Sequence, residues 1–120
     1  MKWILIFIGG GLGSALRYSF FSLNKKDSFL QLPMGTILAN FIACIAMGLI
    51  LFLISKKYIN PNIWSYLGLI GFCGGFSTFS TFSMESAMLI KSGMWWAVIL
   101  NILVSLFSCI TLLYFFTKNV

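Results

Sequence analysis

The chain has no histidine, and its 120 residues include only two acidic side chains, Asp27 and Glu85. That excludes most enzyme chemistry. General acid–base catalysis draws on histidine or on paired carboxylates, and the sequence offers neither. Three cysteines occur, Cys44, Cys73 and Cys109, all inside apolar runs and none in CxxC spacing. A disulfide framework or a zinc site is therefore not expected, and free buried thiols are. Proline is confined to positions 33 and 61, each near the start of an apolar run. Arg17 is the only arginine, and charged residues make up 8% of the chain.

Apolar residues fill the gap. They are 60% of the sequence, and mean hydropathy is +1.01. No soluble domain of this size could cover so much apolar surface, so the chain reads as an integral membrane protein with one domain over residues 1–120. The formal charge is +6, but the cations flank apolar runs and form no basic block. This argues against nucleic acid and for anionic lipid headgroups.

Four apolar runs emerge, at about residues 3–23, 32–54, 63–90 and 94–116. Each is near the roughly 20 residues a helix needs to cross a bilayer. Asn60-Pro61-Asn62 is a turn and helix-start signal, and Pro33 suits the first turn of the second helix. Trp64, Trp95, Trp96, Tyr58 and Tyr114 lie near run ends, as an aromatic belt would. The fold expected is all-α, with four transmembrane helices.

The third run holds the stretch around which the rest is arranged, Gly71-Phe72-Cys73-Gly74-Gly75-Phe76-Ser77-Thr78-Phe79-Ser80-Thr81-Phe82-Ser83. Three glycines in five residues are poor helix interior, at roughly 1 kcal/mol each relative to Ala. Within an apolar run of membrane length they predict a helix broken mid-membrane. Irregular backbone at that depth survives only where protein buries it or where it lines a cavity, and such breaks hold ions in transporters. In the first run, Gly9 and Gly13 form a GxxxG pair that predicts close helix packing. Arg17 lies about a turn from the end of that run. It either snorkels to the interface or draws anions toward a vestibule.

Four spans place Lys2, Lys56, Lys57 and Lys118 on one side and Arg17, Lys25, Lys26 and Lys91 on the other. Orientation follows Lys/Arg bias, and here there is none. Insertion both ways up is expected, which permits an antiparallel pair. Four short helices are also too few to enclose a pore, so an oligomer is expected on size alone.

The polar groups inside the runs are uncharged. They are Thr36 and Asn40, the hydroxyls of the third run, and Asn101, Ser105 and Ser108. Bonds between helices account for Asn101 and Ser108. They account less well for five hydroxyls after a glycine-rich break. Phe79 and Phe82 are three apart and share a helix face, beside Ser80, Thr81 and Ser83. Ring edges are positive. Together with hydroxyl donors they can replace part of a small anion's water shell. Phe76, three residues before Phe79, is the expected neutral control for ring substitution.

Three motifs in order resemble the Fluc fluoride channels, also called CrcB proteins. They are Gly10-Gly11-Leu12-Gly13-Ser14-Ala15-Leu16-Arg17-Tyr18, then Pro33-Met34-Gly35-Thr36 with Asn40, then Gly71 to Ser83 with Glu85. The resemblance covers essentially the whole chain. It implies a dual-topology antiparallel homodimer in a prokaryotic inner (plasma) membrane, with two pores that passively export cytoplasmic fluoride. It also implies a structural sodium ion at the centre, held by backbone carbonyls of Gly74 and Ser77. By the same match, Phe79 and Phe82 face the pore and Asn40 donates to fluoride. Ser80 and Thr81 form a polar track, and Ser105 is the candidate on helix four. Ser77-Thr78 stands where the family usually has Thr-Thr.

A second class shares the length and the four spans, namely small multidrug-resistance-type proton-coupled exporters. That chemistry wants a carboxylate inside helix one, and the first run has none. Glu85 is the only substitute, and its place well past the break suggests a structural or vestibule role.

Overall fold

The computed structural model describes residues 1–24, 31–118 and 120. Lys25, Lys26 and Asp27, three charges used in the sequence reading, lie outside the described residues. The described chain is helical, with no strand among its elements. Helix α1 is Lys2–Phe21 and α2 is Met34–Ser55. A short α3, Pro61–Trp64, runs directly into a π-helical segment, Ser65–Cys73, and then α4, Gly74–Phe76. Helix α5 is Phe79–Lys91 and α6 is Trp95–Thr117. Four stretches are long and apolar enough to cross a membrane: Lys2–Phe21, Met34–Ser55, Pro61–Lys91 and Trp95–Thr117.

The ends have local causes. Asn60 caps α3, its side chain accepting from the N–H groups of Asn62 and Ile63, with Pro61 in the first turn. Helix α2 begins at Met34, so Pro33 stands just outside it rather than in its first turn. Helix α1 stops at Phe21, two residues before the expected end. There the N–H groups of Leu23 and Asn24 tighten onto the carbonyls of Phe20 and Phe21, which turns Asn24 inward. Two helices end in the same motif. After α2, Lys57 (φ 61°) donates to Ile54 and Tyr58 to Leu53. After α5, Gly93 (φ 74°) donates to Ile90 and Met94 to Leu89. Glycine carries that left-handed geometry without a Cβ penalty; Lys57 adopts it on an exposed turn.

Helix α1 packs backbone to backbone on the third span. A Cβ on Gly9 would overlap the Leu67 carbonyl oxygen, and one on Gly13 would overlap that of Phe72. A Cβ on Gly75 would meet Gly10 from the other side. This is the close approach that the GxxxG pair predicts. Phe76 is fully buried against Ala39 and Ala43 on α2, with its ring edge-on to Phe20 at 5.5 Å. A second core cluster joins Leu32 and Ile37 to Leu89, Ala97 and Val98.

Gly13→Ala is expected to destabilise the fold by about 1–3 kcal/mol, as overpacking does. Gly11→Ala is the control, because a Cβ there meets nothing within 4 Å. Thermal unfolding in detergent compares them. Equal midpoints would show that the α1 contact does not hold the chain together.

Candidate functional site

Ser77 (φ −74°, ψ 157°) and Thr78 (φ −152°, ψ 125°) are extended between α4 and α5. Two side chains account for this. In an α-helix the Thr78 N–H would donate four residues back, to the Gly74 carbonyl. Here it donates to Asn40 Oδ1 at 2.7 Å, while Asn40 Nδ2 donates to the Thr78 carbonyl at 3.1 Å. One amide on α2 thus satisfies both backbone groups of a residue that is 8% exposed, as a buried peptide requires. The Thr78 hydroxyl then caps α5, accepting the Thr81 N–H at 3.2 Å. That N–H is the one an uninterrupted helix would give to the Ser77 carbonyl.

The interruption leaves the carbonyls of residues 74–77 without their helical donors, and for Gly74 and Ser77 the donor is bound elsewhere. Those two are also the ones that the family resemblance marks for a cation. Arg17 reaches one of them, with Nη1 donating to the Ser77 oxygen at 3.1 Å. The arginine is half-buried on this carbonyl, 60 residues away in sequence, instead of snorkelling from its helix. Among the described residues no group of three His, Cys, Asp or Glu could hold a metal.

Thr78 lines two cavities, each of about 220 Å³. The first contains Arg17, Ser14, Thr36 and Thr81. The second contains Asn40, Phe79, Phe82 and Ser105, with Cys44 and Cys109. The residues read from sequence as one pathway are thus brought together in two groups. Ser80 lines neither; it is exposed, and its hydroxyl lies 3.3 Å from that of Thr78. The rings of Phe79 and Phe82 stand 5.7 Å apart at 37°. Phe82 is 9% exposed and Phe79 is 75% exposed, so one ring belongs to the chain and the other projects from it. Asn40 keeps a second N–H proton beyond the one on Thr78, since a primary amide has two.

Phe76 is no control for these rings. The helical spacing does not carry across Ser77 and Thr78, so Phe76 points into the core while Phe79 points out. Phe76→Ile would open space among Phe20, Phe72 and Ala39 and test packing instead.

Sequence reasoning missed how Glu85 is used. Its Oε1 accepts from Thr36 Oγ1 at 2.8 Å and from Asn24 Nδ2 at 2.9 Å. Asn24 Oδ1 in turn accepts the Gly35 N–H. The carboxylate ties α5 to the start of α2 and to the end of α1. Its Oε2 is buried without a hydrogen-bond partner among the described residues. The Asn24 signal was present, because an Asn just past an apolar run is free to turn back. On the opposite flank, Asn101 Nδ2 donates to Ser86 Oγ at 3.1 Å, and Ser105 Oγ donates to Asn101 Oδ1 at 3.3 Å. That network links α5 to α6, as expected for Asn101. Ser108 instead bonds carbonyls of its own helix.

The family model described as CrcB-like protein, Camphor Resistance (CrcB), matches residues 4–116. The chain belongs to the CrcB family. Curated relatives include a protein of Phocaeicola vulgatus named Fluoride-specific ion channel FluC, 46% identical over 92 residues, covering 77% of this chain and 75% of the relative. A protein of Coxiella burnetii with the same name is 38% identical over 111 residues, covering 92% and 90%. One of Yersinia pseudotuberculosis, Fluoride-specific ion channel FluC 1, is 40% identical over 121 residues, covering 97% and 92%. These CrcB relatives carry ion-channel names, not enzyme names. With four spans of crossing length, the chain is a multi-pass membrane protein of a non-enzyme family.

Proposed function

We propose that the chain is a fluoride-selective channel through which cytoplasmic fluoride leaves passively, across the inner (plasma) membrane of a prokaryotic cell. One observation carries the reading. The cavity beside Thr78 gathers an amide donor, the hydroxyl residues Ser77, Thr78 and Ser105 and two aromatic rings, with no carboxylate among the described residues that line it. Those groups suit an anion that must exchange its water for fixed dipoles, because bare burial of an ion costs tens of kcal/mol. Arg17 adds a positive charge one cavity away. The names of the relatives agree with this reading. The exporter alternative needs a carboxylate in helix one; α1 has none, and Glu85 is engaged by Asn24 and Thr36.

The proposal includes an antiparallel homodimer with two pores and a helix break at the membrane midplane. Phe79 projects from the single chain, so a second copy is the natural wall opposite it. It also includes a central structural sodium. Carbonyl oxygen is the right donor for a hard cation, and the donors of Gly74 and Ser77 are released here. Two oxygens from one chain are too few, so the second copy supplies the rest. The Ser77 carbonyl has a second lone pair beside the one that Arg17 uses. Sodium would offset the repulsion between anions in two nearby pores.

The purified chain in liposomes loaded with fluoride tests the reading. Efflux followed with a fluoride electrode is expected to exceed chloride efflux at least tenfold, a barrier difference of about 1.4 kcal/mol. Equal rates for the two anions, or none above empty vesicles, would sink it.

A further inference from the structure

Cys44 on α2 and Cys109 on α6 are not part of the proposed fluoride pathway, yet both line the cavity that holds Phe79, Phe82 and Ser105. Both are free thiols and both are half-buried. Helix α2 packs against α6, which brings both cysteines onto that one opening. The third cysteine, Cys73, is fully buried and lines neither this cavity nor the first. Two soft sulfurs converge from two different helices on one opening, with no Asp or Glu among the described residues that line it.

We propose that Cys44 and Cys109 form a two-thiol site for a soft monovalent cation of the Cu(I) and Ag(I) class, and that its occupation obstructs the adjoining cavity. Soft d10 cations select thiolate sulfur and are content with two ligands in line, whereas zinc wants four. Only two sulfurs are present, which favours the first class. Each thiol that becomes a ligand gives up its proton to solvent, so occupation releases up to two protons per cation. No oxidant is needed and no disulfide forms. The obstruction half of this inference rests on the proposed fluoride function; the binding half does not.

Silver ion in nitrate medium is the probe, because silver fluoride is soluble. The full-length protein, incubated with silver nitrate and desalted, is expected to retain one silver per chain by elemental analysis. Cys44→Ser and Cys109→Ser are each expected to bind at least tenfold more weakly. Cys73→Ser is expected to bind as the parent does. Fluoride efflux from the same liposomes should fall at least tenfold with silver in the parent and in Cys73→Ser. In the two pair variants, each compared with its own silver-free rate, it should not fall. Silver held equally by a single-cysteine variant of the pair, or lost in Cys73→Ser, overturns the site. Full occupancy with unchanged efflux overturns the obstruction. A parent without fluoride efflux even before silver would instead overturn the channel reading, and the retention measurement would still decide the site.

Discussion

Asn40→Ala is expected to lower fluoride efflux at least 100-fold and to destabilise the chain together with it. The substitution removes both partners of the Thr78 peptide, which is buried. Each unsatisfied buried group costs about 1–3 kcal/mol. The backbone's remaining option is to return the Thr78 N–H to the Gly74 carbonyl and continue α4 as ordinary helix. That recaptures one of the released carbonyls and closes the second cavity on its Asn40 side. A 100-fold loss corresponds to about 2.7 kcal/mol on the barrier, within what the lost pairing supplies. Asn40→Asp separates the two roles. It retains an acceptor for the Thr78 N–H but loses the donor and sets a negative charge beside an anion path. It should unfold at a higher temperature than Asn40→Ala and conduct no better. Near-parental efflux from Asn40→Ala, at intact folding, would show that the amide neither holds the backbone nor serves the anion.

Phe79→Ile and Phe82→Ile are each expected to reduce efflux at least tenfold, equivalent to about 1.4 kcal/mol. Isoleucine retains apolar character but lacks the ring's positive edge. The two changes should differ in stability. Phe82 is largely buried, and its truncation costs packing; Phe79 is mostly exposed, and its truncation should leave the monomer's unfolding unchanged. Phe7→Ile is the control, on the far-exposed face of α1. Efflux that is equal in all three variants would remove the rings from the mechanism and leave Asn40 and the hydroxyls to confer selectivity.

The spans were legible because lengths and apolar content are properties of a local window. The helix start at Asn60-Pro61-Asn62 was legible for the same reason. What the window could not contain is partnership across the chain. The Asn40 amide meets Thr78 at a separation of 38 residues, and Arg17 meets Ser77 at 60. Glycine content marked the third span as weak helix, yet the extended residues are Ser77 and Thr78, just beyond the glycines. Their geometry is set by Asn40 and by the Thr78 hydroxyl. Glycines 71 and 75 instead serve the approach of α1. Phe76 was misread because a spacing of three means a shared face only while the helix is unbroken. The π-helical segment was invisible to hydropathy, which is blind to whether a carbonyl bonds four or five residues on.

That segment bears on how the chain is made. Its nine residues form a longer π stretch than the single turns usually seen, ending where the Gly74 N–H donates to the Leu69 carbonyl. Bonding of this kind is weak in isolation, and here α1 lies directly against it through Gly9 and Gly13. N-terminal segments emerge first during synthesis. Helix α1 therefore enters the bilayer long before its packing surface on the third span has been translated, and until then only α2 can meet it, through Phe20, Asn24 and Gly35. The glycine-lined contact of α1 with the third span is a late one, joined after the first two spans have already been placed.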